Sequence, residues 1–516
     1  MTKQFLRILT SLALLSLTSR AATLHSARDY GAKGDGVSKD TAAVQAAIDS
    51  AEQEGGGEVM LPPGNYLCGT IHLKSNVTLH LVSGAALIAS RDEVDFDPYE
   101  KLSYPIYDDK ETTYFHYALL VGENVHHVAL TGTGTIDGNR SKRGGPKTVA
   151  FKNCQHLSLR DLTIRNSPNY TLSFLGCDYV DVDGVTILNG YADGIDPDNC
   201  RFVRIANCFV DSWDDAICPK ASLALGQRRA TEHLVVTNCV LRTACSNFKF
   251  GTESEGDFRN IAFNNCVMVR RESGRGAISG ISIESVDGAH IQGVVISNVS
   301  MQDVITPIFL RLGGRGRGQS PPAPGSLENV SISNLVAVGG SIASSVTGIP
   351  GYPIRGVSLE NINITMTGEG EFSGLSVPEL PGKYPEADMF GPLPAYALYA
   401  RHAEGLTLRN VKTRWQEEDN RPALVLDEIR DLEVSGFRSE TFAGAQPMIS
   451  FNQVMDALVQ GCRLSQDVPM FLRISGARSR AITLAGNDLR RAQKAVDLAS
   501  EVEKSALVVM DSVAKY

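Results

Sequence analysis

The sequence predicts an all-β solenoid of stacked coils, and three observations carry that prediction. First, from His156 onward short runs of alternating apolar residues are broken by Asn, Asp or Gly, as in LSLRDLTIRN, VDVDGVTILN, VRIANCFVDS, LVVTNCVLRT and IAFNNCVMVR; about twelve such units continue to ITLAGNDLR. Period-two alternation puts every second side chain on one face of a strand, so each coil buries its inward residues on the next. Second, the turn markers Asp183, Asn207, Asn238, Asn265 and Asn298 recur at intervals in the twenties and thirties, the spacing of coils rather than of heptads. Third, the run Thr41 to Gln53 has helical apolar spacing (Val44, Ala47, Ile48, Ala51), with Asp40 placed to cap it. Strands then begin at Glu58 to Leu61. A solenoid end would pair with other chains unless covered, so this short N-terminal helix reads as the cap of the first coil.

Before the helix, Lys3 and Arg7, the apolar stretch Ile8 to Thr18 and the small residues Ala21 and Ala22 form a secretory signal over 1–22, leaving 23–516 as a single solenoid domain. An exported protein, periplasmic or secreted, is expected. The apolar run is too short for a spanning helix. With a net charge of −9 and a pI near 5.7, the 516-residue chain lacks the basic face that nucleic acid requires. Among its ten cysteines, Cys154, Cys200, Cys208, Cys239, Cys266 and Cys462 each follow Asn or Gly at repeat positions and read as stacked coil residues, not as a disulfide framework. No cluster has zinc spacing, and neither a metal nor a cofactor is expected. Two stretches interrupt the coils, near 91–117 and 368–400, and both are rich in aromatics. Such insertions lie over one side of a solenoid as loops, where the aromatics either stack on sugars or anchor their own loop.

The chemistry concentrates in YADGIDPDNCRFVRIANCFVDSWDDAICPK, Tyr191 to Lys220, where Asp193 and Asp196 precede the pair Asp214 and Asp215 by about one coil. Asp-Gly and Asp-Asp are ordinary turn chemistry when met singly. Coils lie about 4.8 Å apart, so carboxylates on successive coils can share one site. Inverting cleavage of a glycosidic bond needs an acid and a base roughly 6.5–9.5 Å apart. On an ideal strand Asp214 and Asp215 would face opposite sides, so both reach one site only if the chain bends there.

These residues, with DYGAKGDGVSKDTAAVQAAID, GGGEVMLPPGNYLCGTIHLKSNVTLHL and GTGTIDG near the start, resemble glycoside hydrolase family 28, the polygalacturonases and related pectin hydrolases, over nearly the whole mature chain. The resemblance implies a right-handed parallel β-helix and single-displacement hydrolysis with inversion. It implies that Asp214 is the general acid and that Asp193 and Asp215 bind and deprotonate water, with Asp196 in support. Clustered carboxylates raise one another's pKa, which would keep the acid protonated.

The sequence departs from the family pattern in informative places. Tyr191-Ala192 replaces Asn-Thr, Trp213 replaces the Gly before the Asp pair, Ser246 stands at the histidine of Gly-His-Gly, and Ser282-Ile283-Glu284 stands where Arg-Ile-Lys grips the galacturonate carboxylate. An acid in place of two cations repels a carboxylate, which points to rhamnogalacturonan-type or exo-galacturonidase-like substrates rather than to plain homogalacturonan. Lys249 and Arg311 are candidates for a replacement anion site, Lys249 being equally readable as a packed stem with a solvated head. Glu253 and Glu284, on the following coils, are candidates for binding sugar hydroxyls. Asp287 and His290 are weaker candidates, and Arg315 and Arg317 read as solvated loop charges. A monomer acting on a polysaccharide or oligosaccharide is the expected assembly. A lyase on the same fold, or a carbohydrate-binding helix without activity, are the competing classes.

Overall fold

The computed structural model describes residues 23–274, 276–441 and 446–514; the expected signal at 1–22 lies outside them. The chain winds as a parallel β-helix. Thirty-four strands join one hydrogen-bonded sheet and five more form a second, and the strand pairings are parallel throughout.

Inward apolar side chains stack in register, which is the physical origin of the coil. One column runs Leu157, Val180, Val203, Leu234, Ile261, Val294, Val330 and Val357 on successive coils. Each of them is buried, and burying one such side chain contributes about 1.5–3 kcal/mol. Coils begin earlier than the sequence pattern suggested, since Thr23–Ser26 already pairs with Gly57–Leu61.

Corners are set by residues that tolerate left-handed backbone. Asn207, Asn238, Asn265 and Asn298 have φ of 55–57°, a region Asn visits more readily than other non-glycine residues. Their amides form a ladder: Asn298 Nδ2 donates to Asn265 Oδ1 at 3.0 Å and Asn334 Nδ2 to Asn298 Oδ1 at 3.1 Å. All ten cysteines are free thiols and nine are buried, several donating to the carbonyl two residues back, as Cys200 does to Asp198 at 3.2 Å.

The helix Thr41–Gln53 buries Val44, Ala47, Ile48 and Ala51 over the first coils. Asp40 does not cap it. Its carboxylate instead accepts from the N–H groups of Lys33 at 2.7 Å and Gly34 at 2.9 Å, because the preceding loop folds back onto it.

One face of the helix carries the functional candidates. It runs through Ala118–Glu123, Lys147–Lys152, Leu172–Leu175 and Ile195–Asp198, crosses by single bridges at Ile217, and continues through Ser246–Phe250, Ser279–Ser285 and Thr306–Leu312. Both insertions lie against this face. The first holds only short helical turns at Glu93–Asp95 and Lys110–Thr113, and the second has no strand between Met366 and Leu398.

Candidate active site

Asp193 sits two residues before Ile195 and Asp215 two before Ile217, and those isoleucines are bridged on neighbouring coils. The two aspartates therefore stack one coil apart, and their carboxylate oxygens lie within 4.8 Å of each other. Asp214 and Asp215 follow the strand Phe209–Ser212 in a bend rather than in a strand. That bend lets both adjacent carboxylates reach the cluster, with oxygens again within 4.8 Å. This is closer than the roughly 6.5–9.5 Å of an ordinary inverting pair, so the spacing expectation is not met and inversion rests on the family resemblance rather than on this distance. The Asp215 N–H also donates to Asp214 Oδ1 at 3.0 Å.

Lys220, the last residue of the acidic segment, is the cation that organises the deep side of this cluster, and sequence reasoning missed it. Its ammonium is 4% exposed and lies 2.9 Å from Asp193, 3.5 Å from Asp196 and 3.4 Å from Glu253. It also donates to Cys218 Sγ at 3.3 Å and faces the Tyr170 ring at 4.9 Å. Ligand atoms of Asp193, Asp215 and Cys218 lie within 4.8 Å of one another, and the Lys220 ammonium contacts two of these residues, Asp193 and Cys218.

Lys249 is the second buried cation. Its Nζ is 3.3 Å from Asp215 and 3.6 Å from Glu386, under the ring of Tyr384 at 5.6 Å. Its head is thus in the site and not in solvent, because two carboxylates compensate its burial. Glu386 and Tyr384 belong to the second insertion, so that loop closes one side of the cluster.

The first insertion meets the cluster indirectly: its Glu111 binds Arg143, which belongs to the later loop before Lys147–Lys152 and pairs with Asp214. Arg143 Nη1 donates to Asp214 Oδ2, while its Nε donates to Glu111 at 3.1 Å and its Nη2 to the same carboxylate. Arg143 and Asp214 are 44% and 27% exposed, against 4% and 5% for the side chains of Asp193 and Asp215.

These surroundings set the protonation states. Burial first, then repulsion from Asp196, Asp214 and Asp215, pushes Asp193 well above the usual carboxylate range despite Lys220. Burial likewise raises Asp196 to about 7, and neither of its oxygens has a hydrogen-bond donor. Asp214 goes the other way. Burial opposes its charge, but Arg143 and then Lys249 outweigh burial and hold it below the ordinary value. Crowding thus raises one of the three carboxyls, that of Asp193, while Arg143 holds Asp214 down at rest.

Glu253 is buried, yet Lys220 and Arg317 hold it well below its ordinary value, and Arg317 Nη2 donates to it at 3.0 Å. Arg317 also lies within 3.3–3.5 Å of Asp108, Glu255 and Asp287, and Arg315 pairs with Asp287. Neither arginine is a solvated loop charge. Asp287 is buried as their anchor, and His290 lies at an exposed corner bonded to Ser326 at 3.0 Å.

Ser282 stacks on Lys249 in register and donates to Glu284 Oε1 at 2.7 Å. Glu284 is fully buried, and burial pushes its carboxyl up to about 8. A carboxyl that is neutral near pH 7 does not repel an anion, which removes the physical basis for excluding acidic sugars. Arg311, one coil beyond Glu284, spends its guanidinium on main-chain oxygens of Gly348 at 3.2 Å, Glu379 at 2.7 Å and Leu380 at 3.1 Å. It fastens the second insertion to the coils and offers no free anion site.

The two departures before the aspartates are coupled. Tyr191 and Trp213 lie on neighbouring coils with ring centroids 6.3 Å apart and planes 18° from parallel. Asn189 links them, donating to the Tyr191 hydroxyl at 2.8 Å and accepting from Trp213 Nε1 at 3.0 Å. Ser246, at the position where histidine was expected, donates its N–H to Asp215 Oδ1 at 3.0 Å, and its hydroxyl has no partner.

Comparison with known proteins bears on the family and the fold. The family model described as Glycosyl hydrolases family 28 matches residues 68–379. The chain is 27% identical over 395 residues to a probable polygalacturonase of Vitis vinifera, covering 71% of this chain and 79% of that one. It is 25% identical over 340 residues to an exo-poly-α-D-galacturonosidase of Dickeya chrysanthemi, covering 53% and 54%. Among solved structures it matches the family 28 exopolygalacturonase of Yersinia enterocolitica with a TM-score of 0.61 at 19% identity, covering 81% and 79%, and the exopolygalacturonase of Thermotoga maritima with a TM-score of 0.57 at 20% identity, covering 67% and 87%. At these identities the structural matches speak for the fold.

Proposed function

We propose, for a chain that belongs to glycosyl hydrolases family 28, that it is an exported, exo-acting hydrolase that removes a terminal residue from a pectic chain with inversion. Membership makes it a glycoside hydrolase; the direction of attack and the sugar are our reading. The observation that carries exo action is that both insertions touch the cations of the cluster, Glu111 of the first binding Arg143, which pairs with Asp214, and Glu386 and Tyr384 of the second facing Lys249. A site walled on both sides takes a chain end more readily than a chain interior. Residues 23–516 act in this proposal as one catalytic β-helix behind the leader at 1–22, and among the described residues no helix is long and apolar enough to cross a membrane.

In the proposed reaction water adds through its oxygen to the anomeric carbon, the glycosidic C–O bond breaks, and the leaving oxygen takes a proton from Asp214. Asp193 and Asp215, stacked one coil apart, hold the water and Asp215 takes its proton. Asp214 is assigned the acid role because it is the most exposed of the three and so the one a glycosidic oxygen reaches. Lys220 fixes Asp193, Asp196 and Glu253. The sugar in the site is a uronic acid, in the manner of an exo-galacturonidase, since Glu284 is a neutral hydrogen-bonding carboxyl rather than a fixed charge.

Reducing-end release from galacturonate oligomers, homogalacturonan and rhamnogalacturonan, by wild type and Asp214→Asn, tests this. Monosaccharide release from the oligomers, lost in the variant, is expected. An unsaturated product absorbing in the ultraviolet would mean a lyase, and binding without release would mean a non-catalytic helix.

A further inference from the structure

Three cations touch the acidic cluster, and they differ in what a ligand can do with them. Lys220 is sealed among Asp193, Asp196 and Glu253, and Lys249 between Asp215 and Glu386, with 4% and 2% of their side chains exposed. Arg143 is 44% exposed and reaches the cluster from a loop rather than from a coil strand. Its two partners are held unequally. Glu111 takes two edges of the guanidinium, from Nε and Nη2, whereas Asp214 takes Nη1 alone. A planar guanidinium binds carboxylates best in the two-bonded form. The single bond to Asp214 is therefore the one that an incoming carboxylate displaces most readily.

Resting on the hydrolase reading above, we propose that Arg143 is the receptor for a carboxylate of the substrate, and that its transfer from Asp214 to that carboxylate frees Asp214 to take up the proton it gives to the leaving oxygen. The cations and acids facing Asp214 are Arg143, Lys249, Asp193, Asp215 and Glu386, with the Cys245 thiol alongside and Glu111 behind Arg143. With Arg143 withdrawn, burial and the neighbouring acids act on Asp214 with Lys249 and the Cys245 thiol opposing, so it binds a proton more readily. The cation that stands in for the missing Arg-Ile-Lys grip thus comes from a loop rather than from the coil of Ser282 and Glu284, and substrate charge becomes a condition for acid catalysis as well as for binding. Arg143 is in this sense a specificity-determining residue.

The test is a set of pH–rate profiles for trigalacturonate and its fully methyl-esterified counterpart, with wild type, Arg143→Gln and Arg143→Lys, each checked for an unchanged melting transition. Wild type should prefer the free acid by about tenfold or more in kcat/KM and lose activity on it at higher pH than on the ester. In Arg143→Gln the preference should collapse and the alkaline limbs for the two substrates should coincide, with the lysine variant between. Equal slowing of both substrates, or a preference that survives the substitution, would overturn the proposal. If wild type cleaves neither compound, the exo-galacturonidase reading fails instead. Calorimetric titration with galacturonate then still decides the receptor role: weaker binding to Arg143→Gln supports it, and equal affinity refutes it.

Discussion

Lys220 and Arg143 both neutralise an aspartate of the same cluster, yet they sit in opposite physical regimes. Lys220 is anchored at a bridged coil position and enclosed by three carboxylates. Its charge and that of Glu253, which Lys220 and Arg317 hold ionised, are mutually obligatory, because each alone would be a bare charge in a low-dielectric interior. Arg143 stands at the rim in contact with solvent, where an ion pair contributes little and partners exchange. The deep half of the site is a fixed scaffold and the rim half is a switchable one, and the three aspartates straddle the boundary between them.

The contrast is broken most directly at Lys220. Lys220→Met should destabilise the fold by about 3–5 kcal/mol, since it strands buried carboxylates, and urea denaturation reads this as a lower midpoint. A loss under about 1 kcal/mol would mean that Asp193 and Asp196 protonate and tolerate the loss, making the deep half as yielding as the rim. Next in size, Asp214→Asn should lower kcat by about 10²–10⁴ with the melting temperature nearly unchanged, separating catalytic from structural roles.

The third prediction concerns pH. The folded-state pKa of Glu284 is raised to about 8 from an ordinary 4.5, so its contribution to stability is present below about 4.5 and is lost as pH rises towards 8. For one proton that slope approaches about 1.4 kcal/mol per pH unit. Denaturation midpoints at pH 5 and pH 8 should therefore converge in Glu284→Gln relative to wild type. A wild type with no alkaline loss would place that carboxyl in contact with water. The smallest effect is expected at the rim: Arg143→Gln should change stability by no more than about 1 kcal/mol, and a larger loss would make Arg143 a structural cross-link like Lys220.

What the sequence revealed follows the same division. The coils were legible because a stacked core repeats its own pattern, so Val203, Leu234 and Ile261 appear at regular intervals and Asn207, Asn238 and Asn298 mark the corners. The aspartates were legible because they lie on consecutive coils at that spacing. Lys220 obeyed the spacing too, 27 residues from Asp193, and a base closely following the Asp214-Asp215 pair was a usable signal. Arg143, Glu111 and Glu386 were not legible, because they sit in irregular loops with no period and meet the coils only in three dimensions. Arg311 was misread for a related reason: its partners are main-chain oxygens of an insertion 68 and 69 residues away, and no residue type announces them. Asp40 shows the local version, a helix-cap residue taken by the loop before it.

The measurement that bears most directly on the central claim is a time-resolved proton NMR spectrum of trigalacturonate during cleavage by wild type and Asp214→Asn. The α-linked chain should give β-galacturonate as the first monosaccharide signal, released from one end and absent with the variant. An α-anomer appearing first, internal cleavage to mixed oligomers, or undiminished turnover by Asp214→Asn would contradict an inverting, end-directed site with Asp214 as its acid.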